Sequence, residues 1–175
     1  ADVATGKIIR KITDTATDPH FETLQFLGSA GAWDPSGARF VVPAISKGEP
    51  LLAIFAVENG RKERELRLEG VDEVINPTWS ADGGSLYFTS DRGGRPQIYQ
   101  VGAGGGSATR ISFDGSYNAS PTVSFDGKTL ATAQGAGNTY RIALMDRSLG
   151  SARWSLLSPG SMDESPSFAP NGAMV

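Results

Sequence analysis

Along this chain the hydrophobic residues fall in short alternating runs, each closed by a turn-forming cluster of Gly, Asp, Asn, Ser or Pro. No stretch carries the three-to-four-residue spacing of an amphipathic helix over helical length. The best-defined unit runs from Asn76 to Ser90 and reads Asn-Pro-Thr-Trp-Ser-Ala-Asp-Gly-Gly-Ser-Leu-Tyr-Phe-Thr-Ser. Four strands are predicted in its repeat, at about 77–80, 85–90, 97–101 and 107–112. The turn Ser80-Ala-Asp-Gly83 joins the first two, with an Asp able to accept backbone N–H groups and a Gly that tolerates positive φ. Copies of this unit occur at Ala30–Gly37, Ser120–Gly127 and Ser165–Gly172. The large apolar residues Trp33, Trp79, Val123 and Phe168 are separated by 46, 44 and 45 residues. A repeat of roughly 40–50 residues built from strands predicts propeller blades.

The fold class expected is therefore all-β, a β-propeller of four blade repeats of about 45 residues, each four-stranded. The repeats span approximately 30–68, 76–112, 120–157 and 165–175, the last completed by strands from 1–13 so that both termini share one blade. Sealing the ring in this way removes open sheet edges. The aromatic residues Trp33, Trp79, Phe88, Tyr99 and Tyr140 are expected to pack between blades. The longest connection, Asp14 to Ser29, holds the single histidine, His20, and enough apolar residues to be partly packed.

Composition changes this picture little. The 175 residues carry 39% hydrophobic residues, sufficient for a core, and a net charge of −3 that offers no attraction to a polyanion, so nucleic acid is not an expected partner. No apolar run reaches the roughly 18 residues of a spanning helix, and no membrane insertion is expected. Cysteine is absent, which removes disulfide and thiol chemistry without fixing the compartment.

No residue set points to catalysis, a cofactor or a metal. His20 has no nucleophile-elbow motif to serve and no second histidine or cysteine with which to ligate zinc. Asp82 and Asp126 lie in turns without the ligand spacing of a calcium loop, and are expected to cap those turns. Gly102–Gly106 lacks the Lys-Ser/Thr and following helix of a phosphate loop, and is expected to be a hairpin turn.

The motif Pro-x-Trp-Ser-x-Asp-Gly, followed by Leu86-Tyr-Phe-Thr-Ser-Asp-x-Gly-Gly-x-Pro-x-Ile-Tyr99, resembles the repeat of the TolB-type propellers. The resemblance is close from about Asn76 to Val175, whereas residues 1–75, with Ser29-Ala-Gly-Ala-Trp-Asp-Pro35 and Asp18-Pro-His-Phe21, are more similar to TolB-like propellers attached to peptidase-like bacterial proteins. The resemblance implies a periplasmic, non-enzymatic scaffold of the Tol–Pal envelope system that docks the peptidoglycan-associated lipoprotein on one propeller face. The loops entering each first strand belong to such a face, which nominates Asp72, Glu73 and Val74, Tyr117 and Asn118, and Met162, Asp163 and Glu164 as partner-binding residues. The change in resemblance near Asn76–Gly83 implies a chimera of two related propellers, and the small number of blades leaves two closures, an eight-bladed homodimer, which is preferred, and a monomeric four-bladed ring. Two alternatives stand beside the scaffold: an engineered chimera with no biological ligand, and the accessory propeller of a peptidase.

Overall fold

The computed structural model describes residues 1–12, 23–24, 29–149, 153–171 and 175. Among the described residues, thirteen strands form three antiparallel sheets. The first sheet contains β1 (Thr23–Leu24), β2 (Ala32–Trp33), β3 (Arg39–Ser46), β4 (Glu49–Ala56) and β5 (Lys62–Arg67). Its innermost strand is split, since β1 pairs with Ala44 and Ile45 of β3 and β2 with Phe40 and Val41 on the same edge. The second sheet is a meander of β6 (Val74–Trp79), β7 (Ser85–Ser90), β8 (Gln97–Gly102) and β9 (Thr109–Arg110). The third repeats that order with β10 (Tyr117–Val123), β11 (Thr129–Ala136), β12 (Thr139–Asp146) and β13 (Trp154–Leu156). Each expected strand of the second repeat is present, and Gly102–Gly106 is the hairpin turn between β8 and β9, closed by Gly105 N–H donating to Gly102 O at 2.9 Å.

The sheets stack face to face. Because side chains alternate across a strand, Leu86 and Phe88 of β7 enter the core shared with the first sheet, beside Val41, Leu52, Ile54 and Trp79. Tyr87 points the other way and packs with Leu130, Ala143, Met145 and Trp154 of the third sheet. Phe88 stacks on its cross-strand partner Tyr99 at 6.1 Å between ring centroids. Of the five aromatic residues expected between blades, Trp79, Phe88 and Tyr99 are buried there. Trp33 is not: it is 55% exposed and tilts against Phe40, because it ends a two-residue inner strand and faces an open concavity. Tyr140 is half-buried on a loop-proximal edge.

Two devices recur from sheet to sheet. Asn76 and Ser120 adopt φ of 51° and 55°, and the strand register slips between Ile75 and Thr78 and between Ala119 and Thr122. Each is a bulge before a proline, and the two are tied together, Asn76 Nδ2 donating to Ser120 Oγ at 3.1 Å. The second device is the turn closing each first strand. In the second and third repeats, Ser80 and Ser124 donate to Asp82 and Asp126, and their own Oγ accepts the N–H of Ser85 and Thr129 at 2.9 Å. In the first repeat the two residue types exchange places. There Ser36 Oγ donates to Asp34 at 2.8 Å, and Asp34 accepts the N–H of Arg39 at 2.9 Å. Asp82 and Asp126 therefore cap turns as their positions predict.

The exchange places a buried carboxylate at Asp34, and Arg39 answers it. Its Nε lies 3.1 Å from Asp34 Oδ2, its Nη2 donates to Gly83 O of the next turn at 2.9 Å, and its guanidinium covers the Trp79 ring at 4.5 Å. One side chain thus joins the first two sheets.

The fourth repeat contributes no strand among the described residues. Residues 1–12 are irregular, with Val3, Ile8 and Ile9 exposed. They run beside the first sheet, where Arg10 Nη1 lies 3.5 Å from Asn59 O and Ile12 packs on the cluster of Val42, Ala44, Leu51, Ala53 and Phe55. An apolar alternation becomes a strand only where a neighbouring edge takes its backbone N–H and C=O groups, and among the described residues none pairs with this segment. His20 and the Asp18–Phe21 loop lie outside the described residues.

Burial works to raise the Asp34 pKa, but the Arg39 N–H, the Ser36 hydroxyl and the Arg39 guanidinium outweigh it and hold the carboxyl below its ordinary value. Replacing it is expected to cost about 2–3 kcal/mol, as for a buried charge-assisted hydrogen bond. Asp34→Ala should accordingly lower the melting temperature further than Asp126→Ala, whose carboxylate is exposed. Because the folded pKa is depressed, the Asp34 contribution is complete above about pH 4 and fades as pH falls through the folded value. Thermal melts between pH 6 and pH 3 should therefore show a smaller acid loss for Asp34→Asn than for the parent chain. An equal acid loss would remove Asp34 from this role.

Candidate protein-docking face

The meander topology gives the stack two faces. Loops entering the first strands, and the turns joining second to third strands, emerge on one face, called here the entry face. Turns joining first to second strands emerge on the other. The Asp91 carboxylate ties the entry loops together, accepting the N–H of Asp72 at 3.3 Å and of Glu73 at 3.0 Å, and Asn118 N–H donates to Pro96 O at 2.9 Å.

Six of the eight residues nominated from sequence are accessible there. Asp72, Glu73, Met162 and Glu164 are exposed, and Tyr117 and Asp163 are half-buried. Val74 and Asn118 are interior. Val74 is 1% exposed because it opens β6 with its side chain in the core between the first two sheets. Asn118 is fully buried, its Nδ2 donating to Asp114 O at 2.7 Å and Gln97 Oε1 at 3.0 Å. The sequence places both at a loop boundary, but strand alternation turns them inward.

The accessible residues converge on Tyr117. Its ring meets that of Tyr140 edge-on at 5.3 Å and 86°. Tyr140 in turn holds the next loop, accepting the Asp163 N–H at 2.9 Å and donating its own N–H to Ser161 O at 2.9 Å, and forms a parallel bridge with Met162. Met162 is thereby held beside the aromatic pair at 68% exposure. Burial raises the Tyr117 hydroxyl pKa, and the charges of Glu164, Tyr140 and Glu73 raise it further. The patch therefore combines two aromatic rings, a thioether and carboxylates from two different loops. It has the amphipathic make-up of a protein-binding surface rather than the poised acid–base pair of a catalytic one.

Concavities lie on both faces, and two of them bring together residues distant in sequence. On the entry face, a cavity of about 260 Å³ lies between Arg95, Arg110, Gln97 and the glycines of two loops. On the opposite face, Trp33, Pro35, Trp79, Ala81, Val123 and Phe125 line about 350 Å³. Phe125, 81% exposed, occupies the turn position held by Pro35 and Ala81 in the sister repeats, and a large apolar residue in a turn was the available signal.

The Glu164 contribution to Tyr117 is directly measurable. Spectrophotometric titration should find a hydroxyl ionising above the ordinary tyrosine value, and Glu164→Gln should move it down while leaving the melting temperature unchanged. A titration curve identical in the two proteins would separate Glu164 from Tyr117.

Over residues 6–175 the sequence matches the family described as the TolB beta propeller domain. The Tol-Pal system protein TolB of Xanthomonas campestris pv. campestris is 72% identical over 76 residues, 43% of this chain and 17% of that protein. TolB of Xanthomonas oryzae pv. oryzae is 72% identical over 75 residues, again 43% and 17%. The chain thus spans about a sixth of the length of these curated relatives. Among solved structures, TolB from Acinetobacter baumannii superposes with a TM-score of 0.71 at 34% identity, covering 85% of this chain and 36% of that one. A puromycin-hydrolyzing peptidase of Mycobacterium tuberculosis superposes at 0.60 with 24% identity over 78% of this chain and 23% of its own, a likeness of fold alone. With three stacked antiparallel sheets and a family match running from residue 6 to residue 175, the chain belongs to the TolB β-propeller family.

Proposed function

We propose that the chain is a non-enzymatic docking unit of the periplasmic Tol–Pal envelope system, and that its entry face binds the peptidoglycan-associated lipoprotein. The observation that carries this reading is the Tyr117 patch, where Tyr140, Met162, Glu73 and Glu164 meet from two loops. Family membership and the 72% identity to Tol-Pal system TolB proteins support the choice of partner. Asp72 and Asp163 flank the patch and extend it. Since the chain spans 17% of those relatives, part of the parental face lies elsewhere, and an affinity below the parental one is expected. Self-association is part of the same reading: a second copy would offer sheets to continue the ring that three meanders begin.

A recombinant origin, with the crossover near Asn76–Gly83, is a second reading, in which the molecule is a structural object without a ligand. It is favoured by an identity of 72% that extends over 76 residues only, 43% of the chain, while the family match covers 6–175.

Pull-down with the peptidoglycan-associated lipoprotein distinguishes the two. Binding is expected from the parent chain, reduced at least about tenfold in Tyr117→Ala and Glu164→Lys, as for loss of an interface anchor, and unchanged in Glu63→Lys on the outer strand β5. Retention by all three variants alike would exclude this face, and absence of parent binding would favour the ligand-free reading. Light scattering tests self-association: twice the 18.4 kDa chain mass is expected, and a mass of 18.4 kDa rules the dimer out.

A further inference from the structure

The entry-face cavity between the second and third sheets has a floor that the fold leaves chemically unfinished. Gln97, which lines it, ends a chain of three hydrogen-bonded side-chain amides. Gln134 Nε2 donates to Asn118 Oδ1 at 3.3 Å, and Asn118 Nδ2 donates to Gln97 Oε1 at 3.0 Å. Ser112 Oγ, which accepts the Ile98 N–H at 2.9 Å, donates to the same Gln97 oxygen at 2.6 Å. These donors fix which end of the Gln97 amide is oxygen. Its Nε2 has no hydrogen bond among the described residues, and Gln97, which lines the cavity, is only 3% exposed.

Two guanidinium groups face the same space. Arg110 is held in place, its Nε donating to Ser112 O at 2.5 Å and its plane lying over Phe113 at 5.2 Å, so that its outer N–H edge stays unspent beside Gly93. Arg95 stands exposed at the rim. Neither forms an ion pair among the described residues, Asp91 and Asp114 of the adjoining loops included. An unpartnered amide donor, a fixed guanidinium and a second cation thus border one volume with no carboxylate paired to them among the described residues.

We infer that this cavity binds a carboxylate, presented by an acidic side chain of a polypeptide. A planar carboxylate matches the fork of Arg110 and leaves an oxygen for Gln97 Nε2. Phosphate fits less well, because phosphate sites draw on clusters of free backbone N–H groups. Here two of the lining N–H groups, those of Gly94 and Ser116, are already spent on Asp91 O and Gly135 O, at 2.6 and 3.1 Å. The site is separate from the Tyr117 patch and does not require the lipoprotein as partner.

NMR titration of the full chain tests it, with acetyl-Gly-Glu-Gly-amide as the probe, its Gln counterpart and inorganic phosphate in parallel. The Glu peptide is expected to shift the Gln97 side-chain amide and the Gly93 and Gly94 signals saturably. Arg95→Gln and Arg110→Gln should each weaken it about tenfold, the scale of one charge-assisted hydrogen bond. Thermal melts confirm that the variants fold, and should Arg110→Gln unfold, the exposed Arg95→Gln decides. The inference is overturned if the Glu peptide leaves Gln97 unmoved, if the Gln peptide or phosphate binds as tightly, or if a folded variant binds like the parent.

Discussion

Burial of both faces of the middle sheet is the constraint on which this structure depends. A single four-stranded meander cannot cover either of its own faces, and here β7 sends Phe88 into one neighbour and Tyr87 into the other. Alternation normally separates an apolar face from a polar one, but in this strand nearly every position is buried. The stability of each sheet is therefore a property of the stack, as in other repeat architectures. The same dependence bears on the irregular amino-terminal segment, whose Ile8 and Ile9 pair with no strand among the described residues and are exposed.

Side-chain hydrogen bonds set the geometry in which the stack closes. The exchange of Ser and Asp between the first turn and the other two preserves the bond between them while moving the carboxylate from an exposed position to a buried one. A buried carboxylate requires a compensating charge, and Arg39 supplies it while also reaching Gly83 of the next turn. Nearer the entry face, the Asn76 and Ser120 bulges are bonded directly to each other. Both links bind neighbouring sheets through residues of the recurring motif, so the repeat specifies the joints as well as the blades.

The chemistry of the entry face follows from where those joints leave the loops. Fixed by Asp91 and Tyr140, the loops hold Glu73, Glu164 and Met162 around Tyr117, and further out they hold Arg95 and Arg110 over Gln97. An acidic aromatic patch and a basic cavity thus share one face, the first suited to the rim of a protein interface and the second to a single carboxylate.

The sequence by itself determined the strand order, the repeat length, the turn-capping role of Asp82 and Asp126, and the family, because period-two alternation and Asp-Gly turns are local properties of the chain. It also identified the loops of the entry face. It did not determine which residues of those loops are accessible. Val74 and Asn118 sit beside exposed neighbours in sequence, and only the strand register shows that both point inward. Nor did it reveal the Arg95–Arg110–Gln97 cavity, whose members come from separate elements and meet only when two sheets pack. Trp33 shows the same limit, since its motif position equals that of buried Trp79, yet a short inner strand leaves it exposed. Local pattern decides what an element is, and the packing of neighbouring sheets decides which of its residues reach solvent.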